Sequence, residues 1–438
     1  MSMPVEEKLG RLITFPTTAG TPDYPEDASA FEGCRGAIHQ LYPQVAGACE
    51  RQVIFGRGLV YHWRGKAKGK PWVLMAHYDV VPAPPEGWER PPFSGDVADG
   101  FIHGRGAVDT KGTLAAMLQA AEELIGEGFT PEQDIYFCFS GDEETYGPTT
   151  GRIIAWLKER DALPYAVLDE GGQVERGAAP GVSSLCAMVG VAEKGMAQVQ
   201  LSVFGPGGHA SRPPRESQAD ILARALVRLN KHPFPMRIAS PVKEALSALS
   251  RGSAWPYQPI YRWHGLFSPL IKRFASRQAG SIAALFRTTC AVTQLKGSDA
   301  SNVLPVTATA GLNLRLMPGD SLEGVVTHLR QVIGDSRVKA GLVTGNGPSP
   351  VSEMGGPAFE RIRDAASAVW PGVITLPALM VGATDAYHYS AFCPRVYRFS
   401  PLRVPPEITA AVHAANERLP VAALHEAVAF YRAFITAQ

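Results

Sequence analysis

The sequence predicts an α/β fold, a mixed central sheet flanked by helices, with an α+β unit inserted into it. Three observations carry that expectation. Strand-like apolar runs alternate with amphipathic helical stretches between residues 72 and 168. Several of those runs end in His, Asp or Glu, at the carboxyl ends where open α/β sheets collect ligands and metals. Around Glu193 the texture changes to a period of two, and the earlier pattern resumes only near Pro357.

Taken in order, the first part reads as a strand Trp72–Ala76, a helix Thr113–Ile125, a strand Ile135–Ser140, a helix Thr150–Glu159 and a strand Ala166–Leu168, the alternation of a mostly parallel sheet. Met196–Phe204 then alternates as MAQVQLSVF, followed by a helix over Glu216–Asn230, strand candidates Thr288–Gln294 and Val306–Leu316, and a helix Ser321–Ile333. The chain returns to a helix Pro357–Val369, a strand-rich segment and a C-terminal helix Val421–Ile435. The expected division is therefore residues 1–192 with 347–438 as one domain and 193–346 as the insertion. Between His232 and Phe286, the aromatics Phe234, Trp255, Tyr257, Tyr261, Trp263, Phe267 and Phe274 read as local core or a subunit interface, with a wall for an apolar substrate as the sharper alternative.

At 438 residues the chain suffices for two or three domains with a sizeable core. Its 42 Lys+Arg balance 41 Asp+Glu, a net charge of +1 that offers no bulk field for nucleic acid or an anionic membrane, so neither partner is expected. The longest uncharged stretch, Ala365–Thr384, is broken by Pro371, Gly372, Pro377 and Gly382 and does not read as a spanning helix. The opening MSMPVEEKLGRLITF has neither a basic n-region nor an apolar h-region and reads as mature protein; the chain is expected to be soluble, and its scattered cysteines point to a cytoplasmic compartment. The six cysteines, at 34, 49, 138, 186, 290 and 393, form no CxxC pair and fit reduced structural thiols.

Five clusters bear chemistry. His77 and Asp79, in AHYD after the run WVLM, share one side of a strand end, where an imidazole binds metal and a carboxylate fixes its tautomer. GRGAVDTKG, Gly104–Gly112, fits neither nucleotide loop: Asp109 replaces the third glycine of a dinucleotide fingerprint, and no glycine precedes Lys111. A carboxylate there is a hard-cation ligand or a helix cap. Glu143 and Glu144 follow the strand IYFCF, and adjacent glutamates repel unless cations or protons separate them, so one metal-bound and one acting as base is a natural division. Asp169 and Glu170 end the run before two glycines, and His413 stands near the C-terminus in HAANE. Taken singly, each has an ordinary reading as a surface pair, an acidic loop or a structural histidine. Together they supply the N/O donor set of a two-zinc centre, whose metals, about 3.5–4 Å apart, need a bridging carboxylate.

The sequence resembles the M20 family of metallopeptidases and aminoacylases, most closely the branch of carboxypeptidase S and the N-acyl-amino-acid hydrolases. Nine motifs carry the resemblance across nearly the whole chain: HYD at 77–79, GRGAVDTKG at 104–112, GDEE at 141–144, LDEGG at 168–172, GGHAS at 207–211, SNVLP at 301–305, NLRLMP at 313–318, GATD at 382–385 and HAANE at 413–417. It implies a di-zinc exopeptidase-like catalytic domain with an inserted lid and dimerisation domain, a homodimer, and two Zn2+ per chain, replaceable by Co2+ or Mn2+. Asp109 becomes the bridging ligand, His77 with Asp169 or Glu170 completes one site, and Glu144 with His413 completes the other. Glu143 becomes the general base toward a zinc-bridging water, and Asp79 orients His77. His209 is implied to stabilise the oxyanion, often across the dimer. Asn302 and Arg315 match positions that bind a substrate carboxylate, and Gly382 and Thr384 match contacts of the same pocket. Two departures stand out: Tyr387 follows Ala386 where the branch usually has Arg, and Ala414 follows His413 where glycine is usual.

The function so implied is hydrolysis of the amide bond of small-molecule N-acyl amino acids. A carboxypeptidase or dipeptidase acting on short peptides is the alternative. A silent binder of amino-acid derivatives is a further rival, disfavoured by the intact base and metal set.

Overall fold

Trp72–His77 and Ile135–Ser140 are buried along their whole length, as strands covered on both faces must be. The structure is a computed structural model and describes residues 3–20, 25–278 and 280–437. The two strands lie side by side in a nine-stranded sheet ordered Glu50–Ile54, Gly58–Trp63, Ile135–Ser140, Trp72–His77, Ala166–Gly172, Val396–Phe399, Leu185–Glu193 and Ile374–Met380, with Val174–Arg176 paired beside Leu185–Glu193. The sheet is mixed, as expected. Trp72–His77 runs parallel to both neighbours, and Val396–Phe399 is parallel to Ala166–Gly172 but antiparallel to Leu185–Glu193.

The helices Lys111–Gly126 and Val421–Thr436 pack with Val5–Ile13 and Ala28–Leu41 over one face of the sheet. Thr149–Lys158 and the turn Asp385–Ala391 cover the other. Helix ends fall within two residues of those expected. The strand expected at 166–168 extends to Gly172, so Asp169 and Glu170 lie within it.

A second, antiparallel sheet has the order Thr289–Lys296, Thr307–Leu316, Gly195–Phe204, Val338–Asn346. Gly195–Phe204 alternates buried with less buried positions, its inner face meeting the helices Gln218–Lys231 and Leu322–Ile333 in a core of its own. The helices Ser240–Leu249, Tyr257–Arg262 and Ser268–Arg277 pack elsewhere: with Leu376 and Cys186 they form a cluster on the Ile374–Met380 edge of the large sheet. Tyr261 and Phe286 are buried there, whereas Trp255 and Trp263 are exposed. Among the described residues, no helix is long and apolar enough to cross a membrane.

Candidate functional site

His77 closes its strand with a buried side chain, and that burial makes its partners decisive. Its Nδ1 lies 3.0 Å from the Asp79 carbonyl and 3.4 Å from Asp79 Oδ1. Nε2 is thereby turned to Asp109 Oδ1 at 3.0 Å and Glu170 Oε1 at 3.4 Å. The other oxygen of Asp109 lies 2.9 Å from His413 Nε2, which is 3.3 Å from Glu144 Oε1. One carboxylate therefore stands between two clusters, His77 with Glu170 and His413 with Glu144. Ligand atoms of His77, Asp109 and Glu144 lie within 4.8 Å of one another, as do those of His77, Glu143 and Glu170. Imidazole nitrogens and carboxylate oxygens around a bridging carboxylate are the donors that a pair of divalent ions takes, so the residues fit such a centre.

The strand ends alone do not hold this arrangement. Asp79, fully buried, accepts the Glu144 main-chain N–H at 3.0 Å on Oδ2 while its Oδ1 faces His77. Thr110 Oγ1 donates to the His77 carbonyl and accepts from the His77 N–H. Behind the Asp109 loop, the buried Glu417 carboxylate accepts from Val108 N–H at 2.8 Å, Asp109 N–H at 3.2 Å and Arg105 Nη1 at 2.6 Å. Glu417, the last residue of HAANE, is a positioning residue with no catalytic pattern of its own in the sequence. Its signal was a carboxylate one residue before the strand Arg418–Pro420, in which Leu419 is buried.

The crowd of carboxylates sets the charge states. Burial alone would raise Asp109, but hydrogen bonds from His413 and His77 hold it well below the ordinary carboxylate range. His413 is pushed up to about 10 by its bonds to Asp109 and Glu144. His77 is raised well above its usual value: burial opposes this, but Glu170, Asp109 and Asp79 outweigh it. Burial, then the neighbouring carboxylates, push Glu143 to about 10 and Glu170 to about 8, with the His77 charge opposing both. The centre thus calls for positive charge, which protons on the two imidazoles supply and metal ions would displace.

The remaining expected residues fall into separate places. Asp169 is not brought to His77: its Oδ1 accepts the Glu170 N–H at 2.9 Å and its Oδ2 the Ala386 N–H at 2.9 Å, so both oxygens are engaged by main chain. His209 is exposed in a short ladder opposite Val303, its Nδ1 accepting from the Ser211 N–H at 3.1 Å and 2.7 Å from Ser211 Oγ. The Asn302 carbonyl accepts from the N–H of Ala210, the neighbour of His209, at 2.9 Å, and His209 forms no ion pair with Asp109, Glu144 or Glu170 among the described residues. Arg315 is half-buried on Thr307–Leu316, cross-strand from Met196 and Thr289. Gly382 is exposed just before Thr384, whose N–H and Oγ1 both donate to Glu193 Oε1, at 3.3 and 3.0 Å. Those donors are occupied within the protein, because Glu193 is the buried partner of Arg398 at 2.5 Å.

The sequence model of peptidase family M20/M25/M40 matches residues 73–437. The chain belongs to this family. It is an M20 hydrolase of the metallopeptidase class. Among curated relatives, N-fatty-acyl-amino acid synthase/hydrolase PM20D1.1 of Danio rerio is 36% identical over 402 residues, covering 90% of this chain and 78% of that protein. Probable carboxypeptidase S-like 2 of Dictyostelium discoideum is 34% identical over 433 residues, covering 97% and 83%. The fold of this M20 hydrolase is that of the M20 family metallo-carboxypeptidase Sso-CP2 from Sulfolobus solfataricus, with a TM-score of 0.69 at 17% identity and 99% of both chains covered. It is also that of the Bacillus subtilis YXEP protein, a dinuclear metal binding peptidase, with a TM-score of 0.56 at 13% identity, covering 98% of this chain and 97% of that one.

Proposed function

We propose that this M20 hydrolase cleaves the amide bond of N-acyl amino acids at a two-zinc centre held by His77, Asp109 and Glu170 on one side and Asp109, Glu144 and His413 on the other. The observation that carries the reading is Asp109 placed between two imidazoles, 3.0 Å from one and 2.9 Å from the other. Bound there, the ions would supply Lewis acidity toward the amide carbonyl and lower the pKa of an attacking water to about 7. Beside the positive charge of bound ions Glu143 would be ionised, and its carboxylate would take the proton of that water and return it to the leaving amine. Asp79 holds the His77 tautomer, and Glu417 holds the Asp109 loop. Asn302 and Arg315 receive the free carboxylate, for which a guanidinium fork is well shaped.

His209 acts from the partner subunit of a homodimer as a donor toward the developing oxyanion. Two features support this: His209 is exposed on a glycine-flanked turn and forms no hydrogen bond or ion pair with its own Asp109 cluster among the described residues, and Thr289–Lys296 is an exposed edge strand free to meet a second copy. The six cysteines, all unpaired, support a reducing, cytoplasmic compartment.

An apolar cavity of about 380 Å³ favours an acyl group over a second amino acid. It is lined by residues such as Leu246, Tyr261, Phe274 and Leu379, and its size falls within the usual range for small-molecule sites. Its wall includes Met188, whose carbonyl packs so closely on Gly172, two residues past Glu170, that a Cβ there would sit 1.7 Å away. The second reading, a peptidase, is favoured by the likeness to carboxypeptidase S-like proteins. The test is a metal-stripped, zinc-restored sample assayed on N-acyl amino acids beside dipeptides. Zinc-dependent cleavage of the former supports the proposal, cleavage of dipeptides alone selects a peptidase, and no cleavage of either would leave a silent binder.

A further inference from the structure

The whole-chain charge of +1 conceals a strongly uneven distribution. From Ala245 to Ser298 there is no acidic residue, yet Arg251, Arg262, Lys272, Arg273, Arg277, Arg287 and Lys296 fall in this span. The first five of these form no ion pair among the described residues. The same segment carries the most exposed tryptophan of the described residues: Trp255 is 84% exposed, with Leu266 at 79% and Trp263 at 55%. Single exposed apolar residues are ordinary, but a cluster of large ones interleaved with unpaired cations marks a contact surface.

The helix Ser268–Arg277 shows how the face is built. It turns Ile271 and Ala275 into the cluster on the sheet edge and leaves Leu270, Arg273, Phe274 and Arg277 outside. Leu270, Phe274 and Arg277 follow helical spacing on one side, so an apolar strip and its cations point the same way. Trp, Leu and Phe beside Lys and Arg is the composition that settles at the headgroup level of a bilayer, and a span of residues 245–298 with no acid among its cations favours an anionic one.

We propose that this face, centred on Trp263, Leu266, Leu270 and Phe274 with Arg262, Lys272 and Arg273 around them, docks onto an anionic lipid surface. Leu270 and Phe274 also line the 380 Å³ cavity, so docking brings its mouth to the bilayer. The proposal stands on charge and exposure alone and does not depend on which amide is cleaved.

Flotation with phosphatidylcholine vesicles, with and without phosphatidylglycerol, tests it on the full chain. Binding to the mixed vesicles is expected to exceed that to pure phosphatidylcholine by about tenfold or more and to weaken with salt. An Arg262→Gln, Arg273→Gln, Arg277→Gln variant and a Trp263→Ser, Leu266→Ser variant alter exposed side chains. Each should lose about tenfold of that binding while melting temperature and hydrolysis of a water-soluble N-acetyl amino acid stay unchanged. Absence of binding to mixed vesicles, or binding indifferent to both variants, overturns the proposal. So does sedimentation showing a wild-type oligomer that Trp263→Ser, Leu266→Ser dissolves, which would make the face a contact between copies.

Discussion

Asp169 and Glu170 are neighbours in sequence with opposite fates, and the reason lies in the backbone. Along Val396–Phe399 the pairing steps from Asp169 directly to Gly172, so Glu170 and Gly171 are extra residues on a bulged strand. A bulge re-aims a side chain, here turning Glu170 to His77 while Asp169 stays tied to main-chain N–H groups. Period-two reasoning shows that the two acids face apart, but a bulge depends on the partner strand some 230 residues away, so both stayed open in the sequence. Glu170→Gln should therefore remove about one metal ion per chain by elemental analysis, because an amide replaces an anionic ligand. Asp169→Asn should keep both ions and lower the melting temperature, since its amide cannot accept at both positions. The reverse pattern would make Asp169 the ligand. Glu143→Gln keeps the side-chain shape and loses the proton carrier, so turnover should fall by about 10² or more with metal content intact. A parallel loss of metal would move Glu143 into the ligand set.

At the scale of elements, the alternation of strands and helices was legible because each element buries one recognisable face, and the helices Lys111–Gly126 and Pro357–Val369 fall where periodicity places them. Contacts between distant elements were not legible. Glu417 reaching Val108 and Asp109, or Thr384 reaching Glu193, couples residues whose separation carries no local pattern. The edge strand Thr289–Lys296 was legible as a strand but not as an edge. Exposed Val292 and Leu295 on it leave a ladder open for a second copy. Val292→Lys with Leu295→Lys should shift the sedimenting species from dimer toward monomer. If His209 works across that dimer, turnover should fall together with dimer content, and full activity in a demonstrated monomer would place His209 in its own site or outside catalysis.

At the scale of the whole molecule, Asp109 and the four residues around it divide between two sheets: His77, Glu144 and Glu170 lie on or just after strands of the nine-stranded sheet, while Asp109 follows Phe101–His103 and His413 precedes Arg418–Pro420, two strands paired in a small three-stranded sheet. The antiparallel sheet contributes none of them and has its own apolar core. A ligand stabilises only the unit whose native state binds it, by about 2.7 kcal/mol per site at hundredfold excess over Kd. A shift of about 2–4 °C per kcal/mol then raises melting of the large unit by roughly 10 °C or more when two sites fill. Calorimetry of the metal-stripped protein should accordingly show two transitions, of which added zinc moves only the one belonging to the nine-stranded unit. The opposing influence is the segment 240–286, which leaves the antiparallel unit to pack on Ile374–Met380 and ties the two together. Its packing there joins helices to an edge strand and leaves the two cores distinct, so it should broaden the lower transition rather than merge the pair. A single transition that zinc moves as a whole would show that the segment couples the units into one cooperative body.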